Sequence, residues 1–372
     1  MNRSFVRLLI FYIFFLWTGS TLRTIVLPHV YSQGIGFIEM TIGLLVAFGA
    51  QILLFFFLNK NLSSKISWYL ALICLFASIL LVIDVKSAGQ YYLSAVFNGF
   101  NLYLFFIFYN IAHFEASSKE KTGLSSGIMF AIPPLIGVFA PLFAGFVAHI
   151  NIWFGWILSF ATLAVAVFLI KFQNHFQITY SIEDSLQEIS KTRAFIFIEG
   201  IWEALIFAFI PIYTLFFIKD SLGYGIFLTY LAILSVVATL SVGKISDKLQ
   251  KRAVFLYPVT LTMAFATFLF PFGIEKLFTW VVLAGIISFL TPVFWNISTA
   301  MVIDSTPNLR VGIPGRELAL ATGRLIGISF VLISFLYEKK PFIIFIFLGI
   351  VMLIYPLILF YRTKISKKYS YL

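Results

Sequence analysis

The stretch "VGKISDKLQKRAV", Val242 to Val254, places Lys244, Asp247, Lys248, Lys251 and Arg252 close together in a chain that is 61% hydrophobic and 11% charged. With charge so scarce, its position carries information. The stretch is flanked by apolar runs at 224 to 242 and 253 to 273. Each is near the roughly 20 residues that a helix needs to cross a hydrocarbon layer of about 30 Å. The basic stretch therefore reads as a loop between two membrane spans.

Working outward, similar runs occupy 5 to 30, 35 to 58, 66 to 84, 89 to 112, 122 to 148 and 152 to 171 before a polar segment, "FQNHFQITYSIEDSLQEISKTR", at 172 to 193. Beyond it come 194 to 218, 224 to 242, 253 to 273, 277 to 303, 317 to 336 and 341 to 361, then a basic tail. Composition requires the same class. A mean hydropathy of +1.01 and 46 Phe exclude a water-soluble domain, whose surface needs about 25% charged residues. The fold class expected is all-α integral membrane, with twelve transmembrane helices arranged as two pseudo-symmetric six-helix halves. The expected division is residues 1–171, a cytoplasmic linker at 172–193, residues 194–361 and a basic cytoplasmic tail at 362–372.

The net charge of +11 is topological in this reading, not a nucleic-acid footprint, because the basic residues alternate with apolar runs. With a cytoplasmic N-terminus, 19 of the 26 Lys and Arg residues fall on the cytoplasmic side and 5 outside, with Arg23 and Arg324 inside spans. A miscounted span would exchange the sides of every later loop and erase this bias. Both termini are accordingly expected in the cytoplasm, with Arg310 and Arg316 in a cytoplasmic loop. Trp68, Trp153, Trp156 and Trp280 lie at span ends, where an amphipathic ring prefers the headgroup level. The first run, which follows Arg3 and Arg7, lacks an A-x-A-like cleavage site and reads as an uncleaved span. Cys74, the single cysteine, excludes an internal disulfide.

The loop "GKISDKLQKR" resembles the motif that the major facilitator superfamily carries between its second and third spans and again between its eighth and ninth. Gly243, Asp247, Lys248, Lys251 and Arg252 carry the resemblance. Its first-half counterpart, "LNKNLSSKIS", keeps Lys65 but has Lys60 at the glycine position and Ser64 at the Asp position. In span five, "IGVFAPLFAG" resembles the family's Gly-Pro helix motif through Ala140, Pro141, Ala144 and Gly145, with Ile136 in place of the first glycine. The resemblance implies a secondary transporter that works by alternating access, with Gly243, Asp247, Lys248, Arg252, Pro141 and Gly145 in gating. In the family the span-five motif is commoner in exchangers than in symporters, which favours efflux over uptake. An ordinary small-residue packing face is the alternative reading of span five.

Ionisable residues within spans are costly and mark function unless they neutralise one another. Four stand out: Arg23, Glu199, Glu203 and Arg324. Glu199 and Glu203 are one helical turn apart, and Glu203 lies about 13 Å into its span at 1.5 Å per residue. Two neighbouring carboxyls in hydrocarbon suit proton coupling, with Arg324 as their partner. A static ion pair tying two spans together is the alternative. Arg23 is a candidate for binding a substrate anion, or for closing a gate. Asn98 and Asn101 on span four, Trp202 on span seven, and Trp295 and Asn296 on span ten complete the candidate substrate site. In the resembled family, spans one, four, seven and ten line the cavity. Interhelical hydrogen bonding and packing are the alternatives for these residues.

No GxxxxGK[ST] loop, HExxH, CxxC or Gly-rich dinucleotide fingerprint occurs, so no cofactor or metal is expected. The expected partners are a small-molecule substrate, protons or another coupling ion, and the lipid bilayer, for a monomer in the plasma membrane. A lipid-acting membrane enzyme would need a nucleophile, an acid/base group or a metal cluster near one interface, and the sequence offers none. An uncoupled facilitator is the other alternative.

Overall fold

The computed structural model describes residues 3–116, 122–246, 252–337 and 341–362, without the side chains of 122–127, 241–246 and 252–254. The helices are α1 (Arg3–Ser32), α2 (Phe37–Phe57), α3 (Ser64–Ile83), α4 (Ala88–Glu115), α5 (Thr122–Ile150), α6 (Ile152–Ile170), α7 (Ile182–Glu188), α8 (Arg193–Trp202), α9 (Ile210–Phe217), α10 (Ser221–Ser246), α11 (Arg252–Leu269), α12 (Leu277–Asp304), α13 (Leu309–Tyr337) and α14 (Ile343–Phe360). A π-helical turn, Leu205–Phe209, joins α8 to α9 in one span. Among the described residues, 12 helices are long and apolar enough to cross a membrane.

These segments are helical because a span in hydrocarbon must satisfy its backbone internally. Where the chain turns, polar side chains take over: Ser87 accepts from the Gln90 N–H and Asn151 from the Trp153 N–H. Large apolar side chains such as Phe57, Phe139, Phe265 and Phe278 point outward. In water this would be an aggregating surface; in a bilayer it is the lipid-facing surface.

Buried apolar side chains form two large clusters. One draws chiefly on α1 to α6 and is dense in stacked aromatics, with Phe15 on Phe105 and Tyr12 on Tyr109. The other draws chiefly on α8 to α14 and surrounds Phe209, Trp280, Phe345 and Tyr355.

The polar segment before α8 is ordered and docked. Strand β1 (Leu62–Ser63) pairs antiparallel with β2 (Gln177–Ile178). The Tyr180 N–H donates to the Asn59 carbonyl at 3.0 Å, and the Tyr180 and Tyr103 hydroxyls meet at 2.8 Å, with Tyr103 donating to the Leu58 carbonyl. Helix α7 then lies against α13. Gly315 permits this approach, since a Cβ there would collide with the Ser185 backbone. The Asn308 N–H donates to Glu188 at 2.5 Å.

Three expectations need correction. Arg310 and Arg316 are not in a loop, because α13 begins at Leu309, and Arg316 is buried. The seventh span is not one regular helix; it is interrupted at Glu203. Trp68, Trp156 and Trp280 do not face the headgroup level. All three are fully buried, and Trp280 donates to Thr214 at 2.9 Å, whereas Trp153 is exposed. Position near a span end does not decide which way a ring faces.

Candidate functional site

The site begins with two backbones in contact. Gly200 on α8 and Gly323 on α13 face each other so closely that a Cβ on Gly200 would lie 2.6 Å from the Leu320 carbonyl oxygen, and one on Gly323 would lie 2.9 Å from the Gly200 Cα. Gly327, one turn further along, would place a Cβ 2.7 Å from that of Ala204. Small residues at this spacing let helices touch without intervening side chains. The ionisable neighbours of these glycines, Glu199, Glu203 and Arg324, are thereby brought together.

The π turn sets their direction. The Glu203 carbonyl is shared between the Ile206 N–H, at 3.0 Å, and the Phe207 N–H, at 2.9 Å, and just beyond it the Ile210 N–H reaches back five residues to the Leu205 carbonyl, so the regular ladder breaks there. Pro211, at the start of α9, lacks the N–H that an uninterrupted helix would use. A π turn adds a residue to the helical turn and rotates the helix beyond it. Here Phe207 is brought beneath the Arg324 guanidinium, 4.8 Å from ring to Cζ.

Arg324 Nε donates to Glu203 Oε2 at 2.7 Å, and Trp295 Nε1 on α12 donates to Glu203 Oε1 at 2.7 Å. The Glu203 side chain is 2% exposed and that of Arg324 is 15%. This is a desolvated pair, not a surface one. Trp295 stacks on Phe207 with ring centroids 6.3 Å apart, and Phe130 of α5 approaches it at 5.9 Å. Phe48 of α2 lies 5.7 Å from the Arg324 guanidinium. Aromatic rings from α2 and α5 thus meet the charged cluster of the later helices.

A second polar cluster lies further along α13. Arg316 Nη1 donates to Glu317 Oε1 at 2.6 Å and Nη2 to Thr299 at 3.1 Å, while Asn110 Nδ2 on α4 donates to the same Glu317 oxygen at 3.0 Å. All four residues are buried. At the rim, Arg310 forms a two-point pair with Glu115 at 2.7 and 3.1 Å. Glu199 lies between the two clusters. It is 3% exposed, with Ser298, Arg316, Arg324 and Tyr355 in electrostatic or hydrogen-bonding reach.

No family model matches the sequence, and no curated protein matches it. Solved structures do. The human organic anion transporter MFSD10 (TETRAN) is similar over 96% of this chain and 99% of its own, at 11% identity and a TM-score of 0.68. A bacterial homologue of the iron transporter ferroportin, in an outward-facing state with soaked iron, is similar over 98% of this chain and 100% of its own, at 11% identity and a TM-score of 0.67. This chain has the major facilitator fold.

Within that fold, the expected site residues divide into groups. Glu203, Arg324 and Trp295 form one constellation with Glu199 adjacent. Trp202 does not join them: fully buried, it donates to Thr267 of α11 at 3.1 Å. Asn101 is buried with Oδ1 unpartnered, as is Gln51 Oε1 on the neighbouring α2. Asn98 and Asn296 are half-buried. Arg23 is exposed on α1 near Tyr224 of α10, away from the Glu203 constellation. Pro141 and Gly145 lie where α5 meets α10: a Cβ on Gly145 would fall 2.6 Å from the Ser221 carbonyl oxygen, and Gly225 packs against the Pro141 carbonyl. Asp247, Lys248 and Lys251 lie outside the described residues, and Gly243 and Arg252 are described only as members of α10 and α11.

Sequence reasoning missed Asn110, Thr299, Arg316 and Glu317. Arg316-Glu317 reads as ordinary loop charge when the span is taken to start at 317. The signal available was "GxxxG" at Gly323 and Gly327, which marks a contact face on that helix. Among the described residues, no group of three His, Cys, Asp or Glu side chains is placed to hold a metal ion.

Proposed function

We propose that this chain is a secondary active transporter that moves a small organic solute across the membrane by alternating access. The observation that carries the reading is the buried Glu203–Arg324 pair with Trp295, placed mid-span where rings of α2 and α5 meet the later helices. In this reading residues 1–171 and 194–361 are the two halves that rock about the site, and 172–193 is the cytoplasmic linker. The two structural neighbours are transporters, of an organic anion in one case and of iron, by homology, in the other. Aromatic walls suit the apolar body of an organic solute; a metal ion asks for oxygen, nitrogen or sulfur ligands.

Coupling to protons runs through Glu203, Glu199 and Arg324, since an ion pair that breaks on protonation is a switch. Efflux is favoured by the span-five resemblance. Asn98, Asn101, Trp295, Asn296 and Arg23 supply polar contacts as the cavity opens. Trp202, held by Thr267, acts through packing.

The test is solute-evoked proton movement in proteoliposomes enclosing a pH-sensitive dye, screened over organic anions, sugars, amino acids and cationic drugs. Wild type should give saturable flux with proton movement for one class. Glu203→Gln and Glu199→Gln should transport without it or fail to transport. Saturable flux with equal proton movement in all three proteins refutes coupling at this cluster, and no saturable flux for any class refutes the transporter reading.

A further inference from the structure

The two buried clusters share an unbalanced charge. Three carboxylates, Glu199, Glu203 and Glu317, are buried with the Arg316 guanidinium, and the half-buried Arg324 supplies the second cation. Glu203 is committed to Arg324 and Trp295, and Glu317 to Arg316 and Asn110. Glu199 is the remainder. Its Oε1 is buried without a partner, and so is the Tyr355 hydroxyl that faces it from α14. Arg316 Nε is also buried without a partner, and Arg316 is within electrostatic reach of Glu199. An unused acceptor and an unused donor therefore lie near each other across the α8–α13 contact.

We propose that Glu199 is the proton-binding residue of this chain and that Arg316 transmits its occupancy to the seam between α4 and α13. The inference rests on the transporter reading and deepens it. The groups that face Glu199 are Glu203 on its own span, Arg316 and Arg324 on α13, Ser298 on α12 and Tyr355 on α14. With a proton on Glu199 the buried set is neutral, and Arg316 stays on Glu317. That keeps Glu317 neutralised while it holds Asn110 across the seam.

When the proton leaves, the set carries one excess negative charge in a dry interior. The Arg316 guanidinium, with its Nε unused, is drawn toward Glu199. Glu317 then remains as a carboxylate at the α4–α13 seam with only the Asn110 amide. A buried unpaired carboxylate is strongly unfavourable, and hydration through opening of the seam relieves it. Proton loss from Glu199 therefore favours opening at the end that carries Glu115 and Arg310. Proton binding favours the closed arrangement seen here.

The experiment is pulsed electron–electron resonance on the full chain in nanodiscs, with no substrate. Spin labels are carried at Ala116→Cys and Pro307→Cys, exposed on either side of that seam, in a Cys74→Ser background. Wild type in sodium-free buffer should shift from short to long distances between pH 5.5 and 8.5, changing the ratio of the two populations at least tenfold. Glu199→Gln should stay short throughout, and Glu203→Gln should stay short as well, because it frees Arg324 to neutralise an ionised Glu199. Should Glu199→Gln not fold, Tyr355→Phe serves instead. It removes a donor beside the carboxylate and should move the midpoint up by half a pH unit or more.

A wild-type distribution that ignores pH overturns the inference, as does a Glu199→Gln protein that still responds or an unmoved midpoint in Tyr355→Phe. Conversion from long to short by sodium at constant pH 8.5 overturns the proton as the ligand. The readout needs no transported solute. Failure of the transport screen leaves it interpretable, and transport with an unresponsive seam refutes this inference alone.

Discussion

Replacing Arg324 with Gln removes the guanidinium whose Nε lies 2.7 Å from Glu203 Oε2. The size of the effect depends on burial. Exposed pairs contribute about 0–1 kcal/mol, whereas breaking a buried one costs about 3–5 kcal/mol, because a charge is left uncompensated. With the Glu203 side chain 2% exposed, the second regime applies. The Trp295 indole still donates to Oε1 at 2.7 Å, and a hydrogen bond to a charged group contributes about 1.5–3 kcal/mol. The expected loss is therefore near the lower bound, about 3 kcal/mol at pH 7.5.

The assay is reversible unfolding in mixed micelles by SDS titration, followed by fluorescence, on wild type, Arg324→Gln, Glu203→Gln and the double variant. The double variant should be more stable than Arg324→Gln alone, with a coupling energy of about 2–3 kcal/mol. Single effects that add to within about 0.5 kcal/mol would show that the pair is not a stabilising unit and refute the reasoning.

Gly323→Leu should separate α8 from α13 and lower stability by more than about 2 kcal/mol through overpacking, read in the same titration; a neutral result contradicts the backbone contact. Glu115→Gln, which breaks a pair with side chains 34–46% exposed, should cost under about 1 kcal/mol in that assay. Burial pushes the Tyr180 phenol up to about 12, above its ordinary value near 10. The docked segment 172–192 favours the neutral phenol, so its docking should be at full strength below about pH 10 and weaken as pH rises toward 12. Limited proteolysis of that segment should show the change in wild type and not in Tyr180→Phe. Trp202→Phe should alter stability without changing the apparent solute affinity, and Trp295→Phe should change the affinity; proteoliposome flux separates the two.

Some of this was legible in one dimension. The span count survives because hydropathy sums over about 20 residues, so an error of a few positions at either end does not change the total. Glu199, Glu203 and Arg324 stood out as functional candidates for a similar reason: charge in hydrocarbon is rare enough to notice singly. Arg316 and Glu317 escaped notice because they sit at a helix end, where charge is commonplace. Their burial comes from α4 and α7 packing over the start of α13, contacts far apart in sequence. The same limit applies to Trp202 and Trp295, which the sequence places alike inside spans. Helix rotation turns the first to Thr267 and the second to Glu203.

The sequence by itself thus determined that the chain spans a membrane twelve times, and which ionisable residues its hydrocarbon segments contain. These follow from composition along the chain, because water and hydrocarbon separate side chains whatever their neighbours. Tertiary structure decided which carboxylate is paired and which is left over. That choice depends on the contact of Gly200 with Gly323, the π turn after Glu203 and the rotation of α12 and α14. Each of these is a relation between segments that no single span encodes.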